Sequence, residues 1–417
     1  MTAQVRTAGY AAGIAFGAIY LWCAAWTFQA SRLASSLDIA SLQRAIALEP
    51  RHAGYQDLLC RYLLFDRQDP TAALPSCERA TQLNPYFSPY WLNLALAYYS
   101  VGQPQKQQEA ILKAVAVDPT TPDVAWNAAN FFLVQGNVSE ALHQFATVMR
   151  NDPNRVRPAL ELCWRAMPEV TTIEGVLPPD PGVYVEFIRL LTARNEWAGA
   201  AQLWSGLLSL DKAPDDKQAM RYVDALMEHR DVARAQEVWQ QLAARSPQLR
   251  ARIRADDLVV NGGFEEPILN DGFDWRYGKQ KGSTASLDTS EFHSGTRSIS
   301  IFYNGRSDDS GLAQFVPVKP NTEYIVSAWT KSEVLKSGSG ICLSVADGYD
   351  NNKVYDETPE TLGTTTWHQV EGHFQTGPDT QLVILRFTHA HGELWVEGQF
   401  WADDVSLRPA AEPMPAR

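Results

Sequence analysis

Residues 116–153, AVDPTTPDVAWNAANFFLVQGNVSEALHQFATVMRNDP, decide the fold of the first half of the chain. Two apolar helical runs flank a turn at Gly136, and a proline stands at each end of the phrase. The ending recurs as ALEP, QLNP, AVDP and RNDP, whose prolines Pro50, Pro85, Pro119 and Pro153 lie 35, 34 and 34 residues apart. Gly102 and Gly136 repeat the spacing of 34. A fixed period of this length predicts stacked helix–turn–helix units, because one such pair cannot bury its apolar face alone.

The unit spacing resembles that of tetratricopeptide repeats. Trp91, Leu94, Tyr98, Ile111, Ala114 and Pro119 fall on the expected positions of one unit, and Ala129, Phe132, Ala141, Phe145 and Pro153 on those of the next. The preceding unit keeps Ala73, Ala80 and Pro85. Regular units are predicted over 36–167, with 36–50 a half-unit serving as an N-terminal cap. Residues 168–182 are a proline-rich break. Degenerate helical repeats follow over 183–254, marked by AAQLW (200–204) and AQEVW (235–239). Such arrays present a concave surface to a protein partner. Cys60 and Cys77 fall on facing helices of one unit, where a disulfide and a pair of buried thiols are both open readings.

Outward from the array, the N-terminus carries AGYAAGIAFGAIYLWCAAWTF (8–28) with no charge between Arg6 and Arg32. That is long enough to cross a hydrocarbon layer about 30 Å thick as a helix. Residues 1–33 are therefore read as a single-pass membrane anchor, with a cleaved signal peptide as the other reading. The bulk of the chain is expected to be exported, periplasmic or extracytoplasmic.

At 417 residues the chain has room for two or three domains, and its 45% hydrophobic content is that of a folded protein. The net charge of −12 argues against a nucleic-acid partner. Its five cysteines form no CxxC pair. No GxSxG, Walker A, post-strand GxGxxG or HExxH is present, so the chain is read as non-enzymatic.

Near residue 257 alanine-rich helical text gives way to alternating strands and Gly/Asn/Asp turns, predicting a β-sandwich jelly roll over 258–408 and a flexible tail over 409–417. NGGFEEP (261–267), GFDW (272–275), HSGTRSISI (293–301), LAQFVPVKPNTEYIVSAWTKS (312–332), TTWHQVEGHFQT (365–376) and FWADDVSL (400–407) follow one another in the order of a known family. The segment resembles the galactose-binding-like carbohydrate-binding modules appended to xylanases and other glycanases, of the family 4/9 type. The resemblance implies a polysaccharide or glycan ligand and a structural calcium held by Glu265, Asp403 and Asp404 with carbonyls around 294–297. Simple alternation puts Asp403 on the face of Val405 and Leu407, pointing inward. Flat aromatic faces stack on pyranoses while polar groups hold hydroxyls. The candidate sugar residues are Trp275, Tyr277, Tyr303, Tyr349, Tyr355, Asp347, Asn351 and Arg386, although Trp275 serves a core equally well. Trp329 and Trp367 are read as structural residues of core strands.

The expected architecture is thus α then β: a transmembrane helix, a tetratricopeptide-like solenoid and a jelly roll. The expected role is a membrane-anchored adaptor joining a protein partner to a polysaccharide in bacterial envelope or exopolysaccharide assembly or export. The alternative is a purely protein–protein scaffold whose jelly roll binds no sugar.

Overall fold

The computed structural model describes residues 3–36, 38–307, 309–389 and 395–410, with side chains from residue 13 onward. Residues 411–417 of the expected tail lie outside it. Two compact units divide the chain at residues 190 and 191.

The first unit opens with α1 (Ala3–Ala34). Its stretch Gly13–Ala34 is apolar and long enough to cross a membrane, and only 6% of that window is buried. Phe16, Tyr20, Leu21 and Trp22 are all exposed. The end of α1 differs, because Ala30 and Ala34 pack with Leu42 and Ala45 of α2 (Ile39–Leu48) and with Tyr55 and Leu59 of α3 (Ala53–Arg61). Trp26 Nε1 also donates to the Leu48 carbonyl at 3.0 Å. The half-unit over 36–50 therefore takes its missing partner helix from the end of α1.

The solenoid continues through α4 (Pro70–Leu83), α5 (Ser88–Ser100), α6 (Pro104–Val117), α7 (Pro122–Val134) and α8 (Val138–Asn151). Proline stands in the first turn of α4 to α7, where its missing N–H costs nothing. Gly102 and Gly136 adopt φ of 72° and 74°, the left-handed turn that ends α5 and α7. Ala73, Ala97, Ala114, Ala128 and Ala141 are fully buried and let neighbouring helices approach. The recurring aspartate has a structural task. Asp118 accepts from Thr121 N at 3.1 Å, closing the turn before α7, and from Ser88 Oγ at 3.2 Å, tying it to the start of α5. Cys60 and Cys77 form a disulfide joining α3 to α4. Then come α9 (Val156–Ala166), the short α10 (Val170–Glu174) inside the expected break, and α11 (Pro181–Thr192), in which the division between units falls.

The second unit contains α12 (Trp197–Leu208), α13 (Asp216–Glu228), α14 (Val232–Arg245), α15 (Pro247–Arg250) and, among the described residues, ten strands. These are β1 (Arg276–Tyr277), β2 (Ser283–Asp288), β3 (Ser298–Arg306), β4 (Asp309–Pro317), β5 (Glu323–Ser337), β6 (Ile341–Asp347), β7 (Val354–Glu357), β8 (Gly363–Gln375), β9 (Leu382–His389) and β10 (Trp395–Pro409). They form two five-stranded antiparallel sheets, one ordered β1-β4-β9-β6-β7 and the other β2-β3-β10-β5-β8. Between them lies a core that includes Phe264, Ile301, Val326, Leu385, Phe387 and Phe400.

Helices and sandwich meet closely within this unit. Gly272, at φ 62°, lies so near the Trp239 ring of α14 that a Cβ there would come within 2.5 Å of it. Phe273 meets the same ring edge-on at 5.8 Å. Arg252, just past α15, is buried with Asp274 in a 2.8 Å ion pair and donates to the Pro267 carbonyl at 2.7 Å. Residues before 258 are thus part of what holds the sandwich.

Candidate functional site

The eight residues expected to bind sugar divide sharply. Trp275 is completely buried, packed against Phe264 and Phe387, and its Nε1 donates to the Asn261 carbonyl at 3.2 Å. Tyr303 is equally enclosed, because strand alternation on β3 turns it inward with Ile299 and Ile301. Burial pushes its phenol far up. Neither ring is available to a ligand, which corrects the sequence expectation for both. Tyr277 is partly buried against the same core, and its hydroxyl receives the Ala285 N–H. Tyr355 packs on Phe374 and shares hydrogen bonds with Thr380 and Asp347. Burial favours a neutral Asp347, but Tyr349 N, Thr380 and Lys353 outweigh it and hold the carboxyl below its ordinary value. Asp347 and Tyr355 therefore stiffen the base of the 348–353 turn. Asn351 is exposed at its tip.

Tyr349 and Arg386 remain on the outer side of the first sheet. The register sets Arg276, Ala313, Arg386, Ser344 and Glu357 in one row across all five strands. Residues directly opposite in a ladder share a face, and it is the face turned away from Leu312, Leu385 and Val345 of the core. A neighbouring row runs Phe315, Ile384, Ala346. Small or apolar side chains therefore floor the middle of this face, with Arg386 standing among them. Arg386 is half-buried and makes no hydrogen bond or ion pair with another described residue. A guanidinium offers five N–H donors in a fixed fork, so this one is free to grip the oxygens of a ligand. Ser344, Thr388 and Glu357 add hydroxyl and carboxylate groups nearby.

The outer face of the second sheet is richer in rings: Trp395 and Phe302 stand exposed on it, while the others are engaged. The His293 ring stacks on Trp329 at 3.7 Å between centroids, and Trp367 lies 6.0 Å from it. Trp401 Nε1 donates to Asp288 at 2.9 Å, with the Lys331 ammonium 5.3 Å above the ring. Trp329 and Trp367, expected to be structural residues of core strands, lie on the outer face instead of in the core. They stand half-exposed and hold the loop that contains His293 against the sheet.

That loop is also where the expected metal ligands go. Asp403 Oδ2 receives the His293 and Ser294 amides at 2.9 and 3.0 Å. Glu265 receives the Thr296 amide at 2.9 Å and its hydroxyl at 2.6 Å. Asp404 pairs instead with Arg254 at 3.1 Å and with His293 Nδ1 at 2.9 Å. The compact cluster is thus His293, Asp403 and Asp404, whose ligand atoms lie within 4.8 Å of one another, and Glu265 is not in it. Asp403 is fully buried, but not through simple alternation. It pairs with Trp329 while Leu407 pairs with core-facing Val326, and a bulge between Asp403 and Ser406, with Asp404 at φ 46°, reverses the faces. Asp403 therefore stands on the outer face beneath the loop, not in the interior. Burial and the neighbouring Asp404 push its carboxyl up to about 6 against the pull of the loop amides. Asp404 is held low, since hydrogen bonds from Ser294, His293 and Arg254 outweigh its burial.

Residues 256–391 match the family model described as a carbohydrate binding domain. Exochitinase 1 of Streptomyces olivaceoviridis is 32% identical over 158 residues, which cover 38% of this chain and 22% of the chitinase. The chain therefore spans about a fifth of that relative's length. Among solved structures, TmCBM61 in complex with β-1,4-galactotriose is 21% identical, with a TM-score of 0.28, over 37% of this chain and 100% of that one. PilW, a type IV pilus biogenesis factor, is 19% identical, with a TM-score of 0.27, over 47% and 94%. Likenesses at these scores carry no functional argument. The chain is built from a tetratricopeptide-like helical region followed by a two-sheet sandwich, most of which matches the carbohydrate-binding-domain model.

Proposed function

We propose that the sandwich binds a polysaccharide on the outer face of its first sheet, around Arg386, while the helical array holds a protein partner. The reading rests on one observation: a guanidinium with no side-chain partner among the described residues stands beside Ala313, Phe315, Ile384 and Ala346 in the middle of that face. A half-exposed guanidinium without such a partner holds only water, which sugar hydroxyls can replace. The chain itself does no chemistry in this reading, so the chitinase likeness bears on binding alone. The same likeness makes β-1,4-linked N-acetylglucosamine oligomers the first probes.

A glycan array with the purified chain tests this, followed by calorimetry on Arg386→Ala. Loss of hydrogen bonds from a charged donor is expected to weaken binding about 10- to 100-fold. A chain that binds no glycan, with the helical array still capturing protein, would leave the scaffold reading.

α1 serves as the membrane anchor in this proposal, and the rest of the chain is exported. Support comes from the exposed apolar surface of α1 and from the Cys60–Cys77 disulfide, a bond that persists in oxidising compartments. Placed there, the protein joins an envelope or exopolysaccharide assembly or export system to its glycan.

A structural calcium is proposed between Glu265, Asp403 and the carbonyls of 294–297. Hard cations favour such an all-oxygen set. Asp404 is a poor third ligand because Arg254 already holds it. Chelation with EDTA is expected to lower the melting temperature by several degrees. An unchanged melting temperature in protein loaded with calcium beforehand removes the ion from the account.

A further inference from the structure

The helical repeats carry a feature that the sandwich fold does not require. α13 runs beside the outer face of the first sheet and is tied to it at two places. Asp224 pairs with Arg276 at 2.6 Å and receives the Gly272 amide at 2.9 Å. Three residues along the helix, the Met227 carbonyl receives the Tyr349 hydroxyl at 2.7 Å, with the Arg230 guanidinium 4.7 Å from the same tyrosine ring. Between the two ties lies a cavity of about 320 Å³ lined by residues of both parts, among them Met227, Glu228, Phe315, Tyr349 and Leu382.

We propose that this cavity is the closed end of the glycan site and takes the terminal pyranose of a chain whose next units run toward Arg386. The proposal rests on the function put forward above and adds the helical wall to it. A chain threading beneath α13 would have to break either the Asp224–Arg276 pair or the Tyr349–Met227 bond, so the cavity admits an end and not an interior segment. Leu382 and Arg386 lie on one face of β9 four residues apart, about 13 Å at the rise of a strand, so an oligosaccharide seated at Leu382 reaches the guanidinium.

The chemistry of the cavity selects the terminal unit. The edges of Met227 and Leu382 and the Phe315 ring, with the Arg276 guanidinium 5.5 Å from it, line the cavity with mostly apolar atoms. Glu228 is exposed at the rim and makes no hydrogen bond or ion pair with a described residue, so its carboxylate is free to accept from hydroxyl or ammonium groups. Arg276 is already neutralised by Asp224. The cavity therefore suits a neutral or amino-bearing pyranose and repels a uronic acid through Glu228.

Calorimetry on the full chain with a β-1,4-linked N-acetylglucosamine hexamer tests the proposal, comparing Glu228→Ala with Arg386→Ala. Glu228 is exposed, so its variant folds as the parent does. Weakening of about 10-fold in Glu228→Ala is expected. So is loss of binding when a bulky tag is placed on one end of the hexamer and not on the other. Unchanged affinity in Glu228→Ala and tolerance of tags at both ends, with binding still lost in Arg386→Ala, would overturn the closed end and leave the binding face standing. No binding of the hexamer by the unmodified chain, or full binding by Arg386→Ala, would instead overturn the face itself and the closed end with it.

Discussion

Trp275→Ala is expected to lower the stability of the second unit by about 3–5 kcal/mol, the range for removing a large aromatic side chain from a closed core. The indole is fully enclosed between Phe264 and Phe387, and its N–H satisfies the Asn261 carbonyl. Truncation leaves a cavity and removes one of the two hydrogen bonds to that carbonyl, which keeps the Phe264 N–H at 3.0 Å. Urea denaturation followed by tryptophan fluorescence and circular dichroism measures the loss. A change below about 1 kcal/mol would place the ring at the surface, since surface substitutions stay within about half a kcal/mol. The same result governs binding experiments: an alanine at 275 removes the fold along with any ligand, so Arg386 is the residue that reports on sugar.

Arg252→Ala is expected to cost about as much, because it strips a buried carboxylate of its cation; breaking such a pair costs about 3–5 kcal/mol. Asp274 is completely buried, and that burial pushes its carboxyl up to about 6 even with Arg252 2.8 Å away. A carboxyl raised on folding is stabilised in its protonated form. Its favourable contribution is therefore complete at low pH and is lost as pH rises through about 6. Removing Arg252 extends this trend. Thermal melts should show the variant furthest below the parent at pH 7.5 and closer to it at pH 5. A gap independent of pH would mean that Asp274 is not the group left unpaired. A fragment beginning at residue 255 lacks Arg252 altogether and is expected to melt lower than one beginning at 191.

Much of the fold is legible in the sequence because the physics behind it is local. The period between Pro50 and Pro153 fixes the helical units, since each proline stops one helix and each glycine at 102 and 136 turns the chain. The stretches HSGTRSISI, LAQFVPVKPNTEYIVSAWTKS and FWADDVSL contain or overlap β3, β4, β5 and β10, because alternation and turn residues are encoded over a few positions. The site is legible only in part. Arg386 is legible only as a polar group able to hold sugar hydroxyls, and its place on the outer face comes from the register. Trp275 and Tyr303 are aromatics in or beside expected loops, yet Tyr303 lies within β3 on its inward face and the segment before β1 folds Trp275 against Phe264 and Phe387. Asp403 was misplaced for a related reason: a bulge adds one residue and inverts alternation, and the Asp-Asp pair gives no warning of it. The role of α13 was invisible, because Asp224 and Arg276 are 52 residues apart and nothing local announces that they meet.

The claim on which the rest depends is that sugar lies on the outer face of the first sheet. A crystal structure of the chain with a bound β-1,4-linked oligosaccharide tests it most directly. The expected result is sugar hydroxyls within hydrogen-bonding distance of the Arg386 guanidinium, above Ala313 and Ser344. Sugar seated on the opposite sheet against Trp367 or Trp395, with Arg386 untouched, would contradict it.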